Sequence, residues 1–192
     1  WVNVKVPEDF KAGEYDFTIY FGEDYASLKI EIVDEVVAEN TLKYTQWFHP
    51  DCIASCHNVA MYCEEHWKLI ENYMLLAKET GINMVLTPVL PLNLDTDPAF
   101  KVKRPNCSLT DIKVTDGVYS FDFARLTRYM NLAVKCGMEY FEISHLYHAG
   151  GAERCINVEA EVDGEMKYIF DSSMRADTEE YVSFLKAFVP AL

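Results

Sequence analysis

An alternation of strand-like and helix-like segments begins at residue 42, and it limits the fold more than any other feature of the chain. The predicted elements are, in chain order, strand 42–48, helix 64–78, strand 82–87, helix 123–136, strand 138–144 and helix 178–188. Strands that alternate with helices pair in parallel and are joined by right-handed crossovers. The sequence therefore predicts an α/β fold with a parallel sheet.

Two Asp-Gly pairs interrupt this alternation and predict β-hairpins. Asp116-Gly117 and Asp163-Gly164 each lie between two short segments in which apolar residues alternate with polar ones. Asp-Gly suits the tight two-residue turns that join antiparallel strands, because both turn positions need a positive φ.

The connection after the first predicted strand favours a barrel over an open doubly wound sheet. Residues 48–62 are long for a strand-to-helix loop and contain no glycine, whereas doubly wound sheets usually have a short glycine-rich turn there. Residues 41–192 are also fewer than the roughly 250 residues of a closed barrel. We therefore expect the N-terminal part of a (β/α)8 barrel of the TIM type, with about three βα units.

Residues 1–38 predict β structure of a different kind. Apolar residues alternate through 2–6, 15–21 and 26–33. Three short antiparallel strands are too few for an independent domain, so we expect the last strands of a β-sandwich. The first residues show no signal-peptide pattern, and the unusual start at Trp1 suggests that the natural N-terminus lies upstream.

Charge and cysteine content limit the partners and the compartment. The net charge is −14, from 17 basic and 31 acidic residues, which argues against nucleic acid and anionic membranes. A neutral ligand such as a sugar fits this charge. The six cysteines form no short-spaced disulfide pattern, which predicts thiols in a reducing, cytoplasmic compartment.

The residues that follow the predicted parallel strands predict a sugar pocket. Aromatic rings stack on the apolar face of a pyranose, and polar side chains bond its hydroxyls. The alternative is that the aromatic side chains only pack and the histidines cap loops. The candidate sugar contacts are Gln46, Trp47, His49 and Asp51 after the first strand, Thr87 after the second, and His145, Tyr147 and His148 after the third.

Metal and thiol chemistry have weaker support. Cysteines and histidines concentrate in 49–66, but the spacings C-x3-C and C-x6-C match no closed structural zinc site. We therefore predict no metal and no cofactor. A nucleophilic pair of Cys52 with His145 is conceivable, but no local pattern supports it.

Acidic residues give no evident catalytic pair. A glycosidase needs two carboxyl groups at its scissile bond. Glu64-Glu65 and Glu179-Glu180 begin helices, where they complement the helix dipole. Glu142 lies inside the third strand, and its side chain points to one face of the sheet or the other.

Several motifs, in their order along the chain, resemble those of glycoside hydrolase family 123. They are Val6-Pro7 with Gly13-Glu14-Tyr15, Trp47-Phe48-His49-Pro50-Asp51, Trp67 to Gly81 with Asn83, Phe121-Asp122-Phe123, His145-Leu146 with Gly150-Gly151, and Tyr181 to Leu192. The resemblance implies a β-sandwich followed by a (β/α)8 barrel. It also implies hydrolysis like that of a β-N-acetylgalactosaminidase, with retention and with assistance from the substrate's 2-acetamido group.

The same resemblance implies an adjacent Asp-Glu pair on the strand after the last predicted helix. Asp34-Glu35 is the one Asp-Glu sequence in the chain, and it precedes the barrel segment. The expected function is therefore part of a glycosidase that binds an amino-sugar glycoside without supplying the catalytic pair, so this chain alone would be inactive. The alternative is a non-catalytic carbohydrate-binding or structural module. Self-association through the open barrel edge is also expected.

Overall fold

The computed structural model describes residues 4–7, 9–36, 38, 41–92, 105–148 and 151–192. The chain divides into two compact units, Trp1–Thr41 and Leu42–Leu192. Residues 2 and 3 of the predicted alternation 2–6, and Gly150 of the family motif, lie outside the described residues.

The first unit contains one β-hairpin. Strand β1 (Gly13–Phe21) pairs antiparallel with β2 (Asp24–Ile32) through a two-residue turn in which Gly22 has a φ of 66°. This confirms two of the three predicted strands, while residues 4–7 have no regular structure. That these strands belong to a β-sandwich stays a prediction.

The second unit contains four helices and seven strands among its described residues. In chain order these are β3 (Thr45–Gln46), α1 (Pro50–His57), α2 (Glu64–Glu79), β4 (Met84–Thr87), β5 (Asp111–Thr115), β6 (Val118–Asp122), α3 (Ala124–Lys135), β7 (Tyr140–Ile143), β8 (Val158–Val162), β9 (Glu165–Phe170) and α4 (Glu179–Ala191). Strands β3, β4 and β7 form a parallel sheet in that order, as the alternation predicted.

The prediction of a partial (β/α)8 barrel is wrong. The parallel sheet of the described residues has three strands of two to four residues and does not close. The two Asp-Gly hairpins form, but β5 also pairs in parallel with β8, so they join in a second, four-stranded sheet of order β6-β5-β8-β9. The strands of the two predicted hairpins therefore belong to a separate mixed sheet.

Helix α1 replaces part of the predicted 48–62 loop. Its eight residues begin with Pro50, and proline is favoured at the first helical position because it lacks only an N–H that would be unpaired there. Its C-cap, Asn58, has a φ of 54°, a left-handed conformation that ends many helices. The helix is too short to show a clear apolar periodicity.

A continuous buried core connects both sheets to α2, α3 and α4. Its members include Ile70 and Met74 of α2, Val85 of β4, Ile112 of β5, Tyr129 of α3 and Phe184 of α4. Tyr129 is fully buried, and its hydroxyl donates a hydrogen bond to the backbone oxygen of Leu86 in β4. This bond fixes α3 against the middle strand of the parallel sheet.

No helix of the described residues is long and apolar enough to cross a membrane. All six cysteines lie in the described part of the chain, and none of them forms a disulfide.

Candidate functional site

The parallel sheet gathers the predicted sugar contacts at one edge. Because β3, β4 and β7 run in the same direction, their carboxyl ends meet at that edge, where ligand sites of α/β sheets are usually built. Trp47 follows β3, Thr87 ends β4, and His145 follows β7 by two residues.

Trp47 and His145 are brought into direct contact. Their ring centroids are 5.4 Å apart, and the rings meet at 71°, edge to face. The Trp47 side chain is still 47% exposed. The pair therefore joins two of the predicted positions and leaves an aromatic surface open to a ligand.

Glu142 completes this group, although it was not among the predicted sugar contacts. Its Oε1 accepts a hydrogen bond of 3.2 Å from Trp47 Nε1, and its Oε2 accepts one of 3.3 Å from Thr45 Oγ1. The register pairs Leu86 with Glu142, so Glu142 lies on the same face of the sheet as Thr45 and Trp47. This face could not be predicted from the sequence, because strand alternation alone does not say which side of a sheet is covered.

His49 and Asp51 lie at the start of α1. His49 is the N-cap residue, with extended backbone, and Asp51 is buried. Together with Cys52 they place one ligand atom each within 4.8 Å of one another. A closed structural zinc site takes four ligands, and no fourth residue joins this group in the described ranges.

Gln46 and Thr87 do not contact the group formed by Trp47, His145 and Glu142 through any of the hydrogen bonds described for their side chains. Gln46 donates from Nε2 to the hydroxyl of Tyr44, 3.1 Å away, and strand alternation directs it to the face opposite Trp47. Thr87 is fully buried, with its hydroxyl 3.3 Å from the backbone oxygen of Val85. Their roles as sugar contacts stay predictions.

Tyr147 and His148 lie in the segment after β7 that packs against α4. The Tyr147 ring contacts that of Tyr181 at 6.1 Å, and the Tyr181 hydroxyl donates to the backbone oxygen of Leu146. The backbone N–H of His148 donates to the backbone oxygen of Arg154. Helix α4 thus fixes this segment, and Tyr147 remains 39% exposed.

His66 of α2 is hydrogen-bonded to the first residue of α1, Pro50. The Tyr62 N–H donates to its Nδ1 at 2.8 Å, so Nε2 carries the proton and donates to the Pro50 oxygen at 2.9 Å. Burial lowers the pKa of His66, which favours this neutral form. Buried His66 thereby positions Pro50, which lies between His49 and Asp51.

The sequence profile of one known family matches residues 47–192, and that family is described as glycoside hydrolase 123, catalytic domain. The chain belongs to glycoside hydrolase family 123. The match begins at Trp47 and so includes every predicted sugar contact except Gln46.

A solved structure has a similar fold. It is a family 123 glycoside hydrolase from Clostridium perfringens, studied for the details of glycolipid glycan hydrolysis, with a TM-score of 0.69 and 13% identity. The similarity covers 98% of this chain and 34% of that one, so the chain spans about a third of its length. No curated protein sequence matches the chain.

Proposed function

We propose that this chain forms part of a glycosidase that hydrolyses β-linked N-acetylhexosaminides, N-acetylgalactosaminides in particular, and that it supplies part of the sugar pocket. The observation that carries the proposal is the family 123 match over residues 47–192. Membership in this family implies retention of configuration with assistance from the 2-acetamido group of the substrate.

The exposed aromatic surface at the sheet edge supports a sugar ligand. Trp47 offers a ring face, and Glu142 and His145 offer polar atoms beside it. This mixture of one flat apolar surface and a few polar groups is what recognition of a pyranose requires.

In this proposal the catalytic acids come from sequence outside the 192 residues. Asp34-Glu35 is the sole adjacent Asp-Glu pair of the chain. It belongs to the first unit, Trp1–Thr41, and both of its residues are exposed. Hydrolysis assisted by the acetamido group needs one acid to orient that group and a second to protonate the leaving oxygen.

The thiols of the six cysteines support a cytoplasmic location for the whole protein, which stays a prediction.

The test is hydrolysis of an aryl N-acetyl-β-galactosaminide by two proteins, the 192-residue chain and the complete protein that contains it. We expect turnover by the complete protein and none by the chain. Turnover by the chain alone would contradict the assignment of the acids. A complete protein that binds the sugar without cleaving any aryl hexosaminide would favour a non-catalytic carbohydrate-binding module.

A further inference from the structure

We propose that Glu142 makes the Trp47 subsite selective for a neutral pyranose and against acidic sugars such as uronic acids. In this role Glu142 holds the Trp47 indole in place and accepts hydrogen bonds from sugar hydroxyls. The inference rests on the proposed sugar site and adds to it a specificity-determining residue and a class of excluded ligand.

The contacts of Trp47 leave a defined surface for stacking. Its indole N–H is bonded to Glu142 Oε1, and its ring is met by the His145 ring at 71°. Two contacts from residues 142 and 145 thus fix the orientation of a side chain that is 47% exposed. A stacking platform whose orientation is fixed before binding loses less conformational entropy when a sugar binds.

The Glu142 carboxylate keeps capacity for a ligand. A carboxylate offers about four acceptor positions on its two oxygens. Thr45 and Trp47 each use one of them, and the Glu142 side chain is half-buried. Because Oε1 accepts from the indole N–H 3.2 Å away, the carboxylate lies at the nitrogen edge of the ring. We infer that the hydroxyls of a pyranose that stacks on Trp47 and overlaps this edge reach the carboxylate.

Within the described ranges of the chain, no salt bridge offsets the charge of Glu142. Among the described ion pairs, none includes Glu142. Lys43 lies with its Nζ 4.9 Å from the ring centroid of Tyr140, at the amino end of β7 and away from His145. A carboxylate that faces a ligand repels a second carboxylate strongly, since like charges brought together at an interface are unfavourable.

The test compares two glutamate variants of the full 192-residue chain. Glu142→Gln keeps the shape of the side chain and removes the charge. Its amide oxygen can accept from Trp47 Nε1 and its NH2 group can donate to Thr45 Oγ1, so both contacts of Glu142 are replaced. Glu139→Gln is the matched control, because it makes the same change of net charge three residues earlier, where Glu139 pairs with Lys78 at 3.1 Å. Dissociation constants for methyl N-acetyl-β-galactosaminide and methyl galacturonide are measured by NMR titration, and the spectra confirm that each variant is folded.

We expect the wild-type chain to bind the neutral sugar better than the uronide. Glu142→Gln should reduce this preference on the order of tenfold, and Glu139→Gln should leave it unchanged. The inference is overturned if both variants keep the wild-type preference, or if both reduce it equally. If the wild-type chain binds neither sugar, this inference is overturned, whereas the proposed function is decided separately by turnover of the aryl glycoside by the complete protein.

Discussion

At the scale of single residues, the chain uses the same types of side chain for different purposes. His145 contacts an exposed tryptophan at the sheet edge, whereas His66 is buried and bonds two backbone groups. Neighbours and burial, rather than residue type, therefore separate the candidate ligand contacts from the structural histidines.

His66 makes a testable contribution to stability as pH changes. An unfolded histidine has a pKa near 6.5, and burial lowers the pKa of His66 in the folded chain. The stabilising effect of neutral His66 is thus present above about pH 6.5 and is lost as pH falls below it. We expect the contribution of His66 to the free energy of unfolding to fall as the pH is lowered from about 7.5 to about 5.5, because the unfolded chain takes up this proton more readily than the folded one.

The measurement is chemical denaturation of wild type and His66→Gln at both pH values. The variant should show a weaker dependence on pH than the wild type. His57→Gln is the control, because His57 lies exposed at the end of α1 and contacts Tyr73. Equal pH dependence in all three proteins would show that His66 does not titrate as its surroundings indicate.

At the scale of elements, the sequence predicted the hairpins and the parallel pairing of β3, β4 and β7, but not the pairing between the two hairpins. Asp116 and Gly117 have φ angles of 51° and 77°, as the Asp-Gly turn requires, and the hairpin forms. The pairing of β5 with β8 has no local signal, because it joins Lys113 to Glu161 across the chain. That pairing joins the two predicted hairpins into a second sheet.

Part of the candidate site could also be predicted from the sequence, and part could not. The edge that holds Trp47 and His145 followed from the order of strands and helices, and the two rings do meet there. Glu142 could not be assigned to a face until the register of β4 and β7 was known. Helix α1 was missed because its eight residues are too few for a periodic pattern.

Helix α4 is attached to the core by an aromatic cluster centred on Phe184. Phe184 is fully buried, and its ring lies within 6.2 Å of Tyr119, Phe121, Phe170, Tyr181 and Phe188, measured between centroids. We expect Phe184→Ala to lower the free energy of unfolding by about 3–5 kcal/mol, because the truncation leaves a cavity.

Urea denaturation of the variant measures this loss. Val189→Ala on the same helix is the control, because Val189 is 50% exposed and its truncation should cost less than about 0.5 kcal/mol. Equal losses in the two variants would mean that α4 is not held by its aromatic face.

At the scale of the whole molecule, we expect weak self-association. The three-stranded sheet has β3 and β7 as its edge strands in the described part of the chain, and such edges offer backbone groups to a second strand. The net charge of −14 opposes association, so added salt should favour it. Light scattering at increasing concentration and salt tests this.

Two charged variants identify the surface used. Ile143→Lys places a charge on β7, where Ile143 is 47% exposed, and should reduce association. Val134→Lys places the same charge on α3, where Val134 is 59% exposed, and should have little effect. A clean monomer at all concentrations would contradict the expectation.

We propose that this family 123 chain binds a sugar at the sheet edge where Trp47 meets Glu142. The most direct measurement is the indole N–H signal of Trp47 in a ¹⁵N-labelled chain titrated with methyl N-acetyl-β-galactosaminide, assigned with Trp47→Phe. We expect this signal to shift saturably, because the N–H bonds Glu142 beside the stacking face, while the signal of buried Trp67 stays in place. A Trp47 signal that does not move at high sugar concentration would contradict sugar binding at this edge.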